Sequence, residues 1–191
     1  MPEDFGEFYS PEEVAGRLVS VAKRKGFHQL RISGNEPTLC KRHLIGVLDA
    51  VPGDYLFIIE TNGILIGWDE SYAEELSRFP NVHVRVSLKG TNEEEFSSLT
   101  GAKPEGYQLQ LRALELLMRS KVRVHAACMT SFSTPDNIKT LRKRLRSIHR
   151  SLEDFEVEEL ILYPHVAERL SKLGVRYLTA YRPENIPPSQ I

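Results

Sequence analysis

A chain of 191 residues, 41% hydrophobic and 27% charged, has the balance of a globular domain and enough length to bury a sizeable core. Its net charge of −1 excludes a strongly basic domain, and no apolar run reaches membrane-spanning length. The opening Met1-Pro2-Glu3-Asp4-Phe5 has neither the basic start nor the apolar core of a secretory signal, so a cytoplasmic location with no membrane partner is expected.

Ser10-Pro11-Glu12-Glu13 reads as a capping box with proline at the first helical position. Val14, Leu18, Val21 and Ala22 then recur at helical spacing, and Gly26 is a good stop, so a helix is predicted over roughly 11–25. In an alternating fold such a helix ordinarily follows an earlier strand. Here it leads into Leu30-Arg31-Ile32-Ser33-Gly34-Asn35-Glu36-Pro37-Thr38-Leu39, the stretch that organises the chain. Its first half is a short buried strand, about 28–33. Gly34 breaks that strand, and Pro37 starts a helix. Glu36 is thereby held at the C-terminal lip of a strand, where parallel α/β folds bind ligands. The plainer alternative is an ordinary βα loop whose acid complements the helix dipole.

The following helix buries Leu39, Leu44, Ile45, Leu48 and Val51, and Pro52-Gly53-Asp54 ends it. Tyr55-Leu56-Phe57-Ile58-Ile59 is a continuous apolar strand of the kind that suits a sheet covered on both faces, and it ends in Glu60-Thr61-Asn62-Gly63. Ile64 to Trp68 reads as a loop, and Asp69 caps a helix carrying Tyr72 and Leu76. Val82 to Leu88 alternates with period two, placing His83 and Arg85 on one face, until Lys89-Gly90 breaks it. Helices over about 92–99 and 105–119 precede a strand over Val122 to Met129. Thr134-Pro135 opens a long helix, Phe155 to Leu162 forms a fifth strand ending at Tyr163-Pro164-His165, and a helix over about 166–173 leads to a Pro-rich tail with a frayed end.

Regular alternation argues for a parallel sheet with right-handed crossovers. Five strands cannot close an eight-stranded barrel, so an open or partial barrel is expected. In a parallel sheet the C-terminal strand ends share one rim. That rim collects Gly34, Glu36, Glu60, Asn62, Ser87, Lys89, Met129, Thr130 and His165. Carboxylates, an ammonium, an imidazole and hydroxyls can hold a zwitterionic ligand carrying a sugar; they are also what five polar loops would present.

Ser33-Gly34-Asn35-Glu36-Pro37 resembles the Gly-Gly-Glu-Pro motif of radical S-adenosylmethionine (SAM) enzymes, with Asn35 in place of the second glycine. Glu60-Thr61-Asn62-Gly63, Ser87-Leu88-Lys89-Gly90 with Leu99-Thr100-Gly101, and Leu162-Tyr163-Pro164-His165 are similar, in order, to motifs of the glycyl-radical-enzyme activases of that superfamily. The resemblance covers about residues 9–166. It implies an α/β fold, a partial TIM-like (β/α) barrel of about five parallel strands over 1–175 with a C-terminal tail over 176–191. It also implies SAM as cofactor. Gly34 and Glu36 would meet the methionine amino group, with Glu60 close to the same end. Ser87 would face the ribose and Lys89 the methionine carboxylate, while Met129 lines the cleft and His165 sits near the adenine.

Radical SAM enzymes hold a [4Fe–4S] cluster on a Cys-x3-Cys-x2-Cys loop after their first strand. This chain has two cysteines, Cys40 and Cys128, far apart; both are expected to be reduced and partly buried, and neither matches that loop. The expectation is a portion of a radical SAM enzyme without its first strand and cluster loop, inactive in radical chemistry as given, the cluster belonging to a full-length parent. The alternative is a cluster-free relative that binds a nucleotide, SAM or RNA as an accessory protein. A tRNA or protein substrate is compatible with the basic run Lys139, Arg142, Lys143, Arg144, Arg146 and Arg150, as is a plain solvated helix face. A missing strand would leave the edge at 28–33 unpaired and favour self-association.

Overall fold

The structure, a computed structural model, describes residues 7–188; the N-terminal segment read above for a signal and the last residues of the tail lie outside them. Helix α1 (Pro11–Lys25) carries the expected capping box on Ser10 and Glu13 and ends on Gly26 at φ 71°. Strand β1 (Gln29–Ile32) is followed by a 3-10 turn, Pro37–Leu39, and α2 (Lys41–Ala50). Then come β2 (Leu56–Thr61), α3 (Ile64–Trp68), α4 (Glu70–Leu76), β3 (Val82–Lys89), α5 (Glu93–Thr100) and α6 (Glu105–Arg119). The second half holds β4 (Arg123–Met129), α7 (Pro135–Ile148), β5 (Glu156–Glu158) and α8 (Pro164–Leu173).

The five strands form one open sheet in the order β1-β2-β3-β4-β5, every neighbouring pair parallel. Right-handed crossovers that always step the same way keep the helices on one face, which is the winding of a partial TIM-like barrel. Phe57, Ile59, Val82, Val84, Val86, Leu88, Ala126 and Cys128 point into that helix layer and join one core with Leu48, Leu114, Leu117 and Leu141. Each such large side chain, fully buried, contributes roughly 1.5–3 kcal/mol. The opposite face is polar. It carries Arg31, Glu60, His83, Arg85, Ser87, Lys89, His125, Glu156 and Glu158, so the sheet is not covered by apolar layers on both sides as the β2 run suggested.

Three local readings change. Leu39 is 72% exposed rather than part of the α2 stripe, because the 3-10 turn rotates it out before α2 begins. Ile64–Trp68 is a helix, not a loop. Gly67 allows it: a Cβ there would stand 2.0 Å from the Leu109 carbonyl oxygen, so α3 lies backbone to backbone on α6. The fifth strand is short, and α8 begins at Pro164 and takes His165 into a helix. The tail folds back: Tyr181 bridges Ile161, and the Leu178 N–H donates to the Ser131 carbonyl at 2.7 Å. No helix among the described residues is long and apolar enough to cross a membrane.

Candidate functional site

At the C-terminal rim a cleft of about 240 Å³ is lined by Gly34, Asn35, Glu36, Glu60, Thr61, Asn62, Arg85, Ser87, Lys89 and Glu158. It brings together six of the rim residues singled out from the sequence: Gly34, Glu36, Glu60, Asn62, Ser87 and Lys89. Met129 is the register partner of Lys89 on β4. His165 is elsewhere: it stacks on Tyr163 and lines a separate hollow with Glu168, Arg169 and Lys172.

The loop after β1 opens with Gly34 at φ 91° and Asn35 at φ 44°, both left-handed. Nothing lies within 4 Å of where a Gly34 Cβ would stand, so a ligand can approach that backbone directly. Glu36 turns back on the protein. Its Oε1 accepts from the Thr38 N–H (3.0 Å), the Thr38 hydroxyl (2.6 Å) and the Thr61 hydroxyl (2.6 Å), and its Oε2 accepts from the Asn62 N–H (2.7 Å). A carboxylate has about four acceptor positions, so this one is committed to joining the first two rim loops. A second carboxylate repeats the device further along the rim. Glu95 accepts from Thr91, Ser133 and Asn137, joining the loops after β3 and β4. Those hydrogen bonds hold its carboxyl below the ordinary range although burial pushes the other way.

The floor of the cleft is an ion network centred on Arg85, which is 8% exposed. Arg85 Nε and Nη2 donate to the two oxygens of Glu156 at 2.9 and 2.8 Å, and Nη2 also donates to Glu158 at 2.7 Å. Glu60 lies 3.7 Å from Arg85 and 3.0 Å from Arg31. Lys89 Nζ donates to Ser87 Oγ at 2.8 Å and sits 3.6 Å from Glu158. Arg85 holds the Glu156 carboxyl down to about 2, against the opposing effect of burial and with help from His125. His125 spans Glu156 (3.0 Å) and His83 (2.6 Å), and burial, with His125 and Arg123, keeps His83 below the ordinary imidazole range.

Sequence reasoning placed His83 and Arg85 on one face but missed Arg85 as the hub and Glu156 and Glu158 as the acids it holds. Their partners lie on different strands, so only the register reveals them. Gln110 was also missed. It is fully buried and donates to the Asn62 and Ser87 carbonyls at 2.6 and 3.1 Å. The available signal was an amide at a core position of the α6 stripe, between Tyr107 and Leu114.

Residues 2–148 match the radical SAM superfamily. This chain belongs to the radical SAM superfamily. It is 25% identical over 167 residues to a probable GTP 3′,8-cyclase of Methanococcus vannielii, covering 86% of this chain and 54% of that protein. A probable GTP 3′,8-cyclase of Methanosarcina acetivorans is 25% identical over 189 residues, with 91% and 55% covered. The chain thus spans about half the length of these curated radical SAM relatives, which carry a different name from the activases whose loops its motifs resemble. Among solved structures it resembles Streptococcus suis SuiB bound to SAM (TM-score 0.67, 16% identity, 93% of this chain and 42% of that one). It also resembles anSMEcpe with bound SAM (TM-score 0.60, 21% identity, 82% and 43%). These are likenesses of fold.

The family implies a [4Fe–4S] cluster, and the residues present do not fit one. Cys40 is exposed after the first rim loop, whereas Cys128 is buried on β4 with its thiol donating to the Gly90 carbonyl at 3.2 Å. Burial pushes that thiol up to about 12. Among the described residues no group of three or more His, Cys, Asp or Glu side chains is placed to hold a metal ion. The family also implies SAM, and for SAM the cleft's donor set is apt: an open glycine backbone, carboxylates, an ammonium and a hydroxyl.

Proposed function

We propose that this chain is the SAM-binding portion of a radical SAM enzyme, with SAM in the rim cleft and the [4Fe–4S] cluster held by cysteines outside these 191 residues. The observation that carries the reading is the charge of the cleft. Its lining holds three carboxylates, Glu36, Glu60 and Glu158, against two cations, Arg85 and Lys89, which leaves one net negative charge. SAM, with a sulfonium, an ammonium and a carboxylate, carries one net positive charge. S-adenosylhomocysteine lacks the sulfonium and is neutral overall.

In this reading Glu60 and the Gly34 backbone receive the methionine ammonium, Lys89 the methionine carboxylate, and Ser87 and Asn62 the ribose hydroxyls, with Met129 beside Lys89. Glu36 holds the two loops in place. Bound SAM supplies the 5′-deoxyadenosyl group of the family's radical chemistry; this chain's own residues bind and orient it. Two fold neighbours, SuiB and anSMEcpe, are known with SAM bound, which supports the reading. The cyclase relatives' names concern GTP, but only about half of each is matched, and no substrate is carried over. A second reading, a cluster-free SAM-binding relative, is favoured by the placement of both cysteines away from the cleft lining.

The test is calorimetric titration of the chain with SAM and with S-adenosylhomocysteine. Binding of SAM in preference to the neutral analogue, weakened by Lys89→Ala and by Glu60→Gln, is the expected result. No binding, or binding indifferent to both substitutions, overturns the assignment. Iron and sulfide content of the gene product read from an upstream start then separates the two readings.

A further inference from the structure

The rim loops begin where strands stop reaching their neighbours, and one buried side chain completes the ladder there. The Phe57 N–H donates to the Asn81 carbonyl at 2.9 Å, so Asn81, His83, Arg85 and Ser87 direct backbone groups from β3 toward β2. The last register pair is Thr61 with Val86. The next ladder bond would bring the Gly63 N–H to the Ser87 carbonyl. Gly63 turns away instead, at φ 78°, and its N–H donates to Thr61 Oγ1 at 3.0 Å. The Ser87 carbonyl is therefore orphaned by the end of β2, and Gln110 Nε2 takes it at 3.1 Å while also holding the Asn62 carbonyl at 2.6 Å.

Two carbonyl acceptors fix which end of the Gln110 amide is nitrogen. Its other end, Oε1, is buried with no hydrogen-bond partner among the described residues. An unpaired buried acceptor is destabilising, and an apolar side chain at this position would remove it only by leaving the Asn62 and Ser87 carbonyls without their donor. What the amide gains for that cost is the joining of these two carbonyls, which no apolar side chain can supply. Asn62 and Ser87 both line the cleft, and Gln110 is the point where their main chains are joined from behind.

We infer that Gln110 is a positioning residue of the SAM cleft: from the core it sets the Asn62 and Ser87 backbones to the spacing the ligand requires. This rests on the reading of the cleft as a SAM site. Gln110 touches no ligand, being fully buried, and acts through the two rim residues.

The test uses Gln110→Met, which keeps length and loses both donors, and Gln110→Glu, which regains one donor only when its carboxyl is protonated. In Gln110→Met the Gly63 and Leu88 amide resonances, whose peptide carbonyls are those of Asn62 and Ser87, are expected to shift. SAM affinity is expected to fall about tenfold, and the melting temperature to fall as well because two carbonyls lose their donor, so Gln110→Glu is what separates positioning from stability. In Gln110→Glu, SAM binding is expected to be weak at neutral pH and to recover relative to wild type as pH is lowered. Unmoved Gly63 and Leu88 resonances, or wild-type SAM affinity in Gln110→Met, overturn the inference. So does a loss of binding that tracks a lowered melting temperature with no acid recovery in Gln110→Glu. Failure of the unsubstituted chain to bind SAM overturns the reading of the cleft instead, and the resonance shifts still decide whether Gln110 sets the rim.

Discussion

Glu36 Oε2 accepts the N–H of Asn62 at 2.7 Å, across an interval of 26 residues. β1 makes its last register pair at Ile32, and this carboxylate receives a backbone donor that β1 no longer reaches. The same carboxylate takes both threonine hydroxyls, so the loops after β1 and β2 form one unit rather than two. Replacing Glu36 with Ala leaves the Asn62 and Thr38 N–H groups and two hydroxyls without their acceptor. A loss of about 2 kcal/mol is expected in urea denaturation, together with loss of SAM binding. Unchanged stability would mean that water replaces the carboxylate and that the two loops are independent.

Gly67→Ala is expected to be worse than an ordinary surface substitution. The added Cβ meets backbone, 2.0 Å from the Leu109 oxygen and 2.8 Å from its carbonyl carbon, so no side chain can swing aside. Destabilisation of at least about 2 kcal/mol is expected from a separated α3–α6 contact. Thermal melting of this variant beside Gly53→Ala, where the added atom meets nothing within 4 Å, is the measurement.

The Arg85–Glu156 pair makes stability depend on acid. Glu156 is held at about 2 in the folded chain against an ordinary 4.5, so its contribution is complete above 4.5 and is lost as pH falls toward 2. Arg85→Met removes that contribution and leaves Glu60, Glu158 and Glu156 to Arg31, Lys89 and His125; a cost of about 2 kcal/mol at neutral pH is expected. The gap between wild type and variant should narrow as pH falls through that window. A gap constant with pH would place the energy of Arg85 in packing rather than charge.

His83 contributes in a different range. Its folded value lies below the ordinary 6.5, so the folded state prefers the neutral ring, and that stability is present above 6.5 and declines as pH falls below it. His83→Gln is expected to flatten the fall in stability just below pH 6.5. An identical slope in both proteins would show that His83 is not the source of the fall in stability there.

Among the described residues β1 pairs with β2 alone. The His28 carbonyl accepts from Leu56 N–H at 2.9 Å, which turns Leu30 toward β2 and leaves the N–H and C=O of Gln29 and Arg31 on the open side. Self-association through that edge is expected at high concentration, and Gln29→Pro, which removes a donor the β1–β2 ladder does not use, is expected to reduce it. Sedimentation showing a monomer throughout would exclude edge pairing.

The alternation of helix and strand was legible because each element carries local punctuation: Ser10 with Pro11, Gly26, Pro52-Gly53, Thr134-Pro135. The rim followed from topology alone, since a parallel sheet must gather its C-terminal ends. What was not legible depends on atoms distant in sequence. Leu39 satisfies a helical stripe, yet a 3-10 turn points it outward; Gly67 looks like a loop residue until α6 is laid against it. Glu156 reads as surface charge until β5 is set beside β4 and brings it to Arg85 two strands away. His165 moved because Pro164 starts a helix where a strand end was expected. Three of the basic residues of α7 are engaged: Arg142 and Arg146 by the nearby Asp154 and Glu153, and Arg144 by Glu93, 51 residues away in sequence.

The alternating ions on the open face of the sheet also bear on how the chain avoids misassembly. Arg31, Glu60, Arg85 and Glu158 follow one another across β1, β2, β3 and β5 as positive, negative, positive, negative. Slippage of any one strand by a single residue would drive its charge beneath the helices and lift a valine, leucine or isoleucine into water. Parallel strands joined through long crossovers have few local cues to register and assemble slowly. In the native register each charge of the row meets its opposite, so a one-residue slip of any of these strands forfeits both an ion pair and a buried aliphatic side chain.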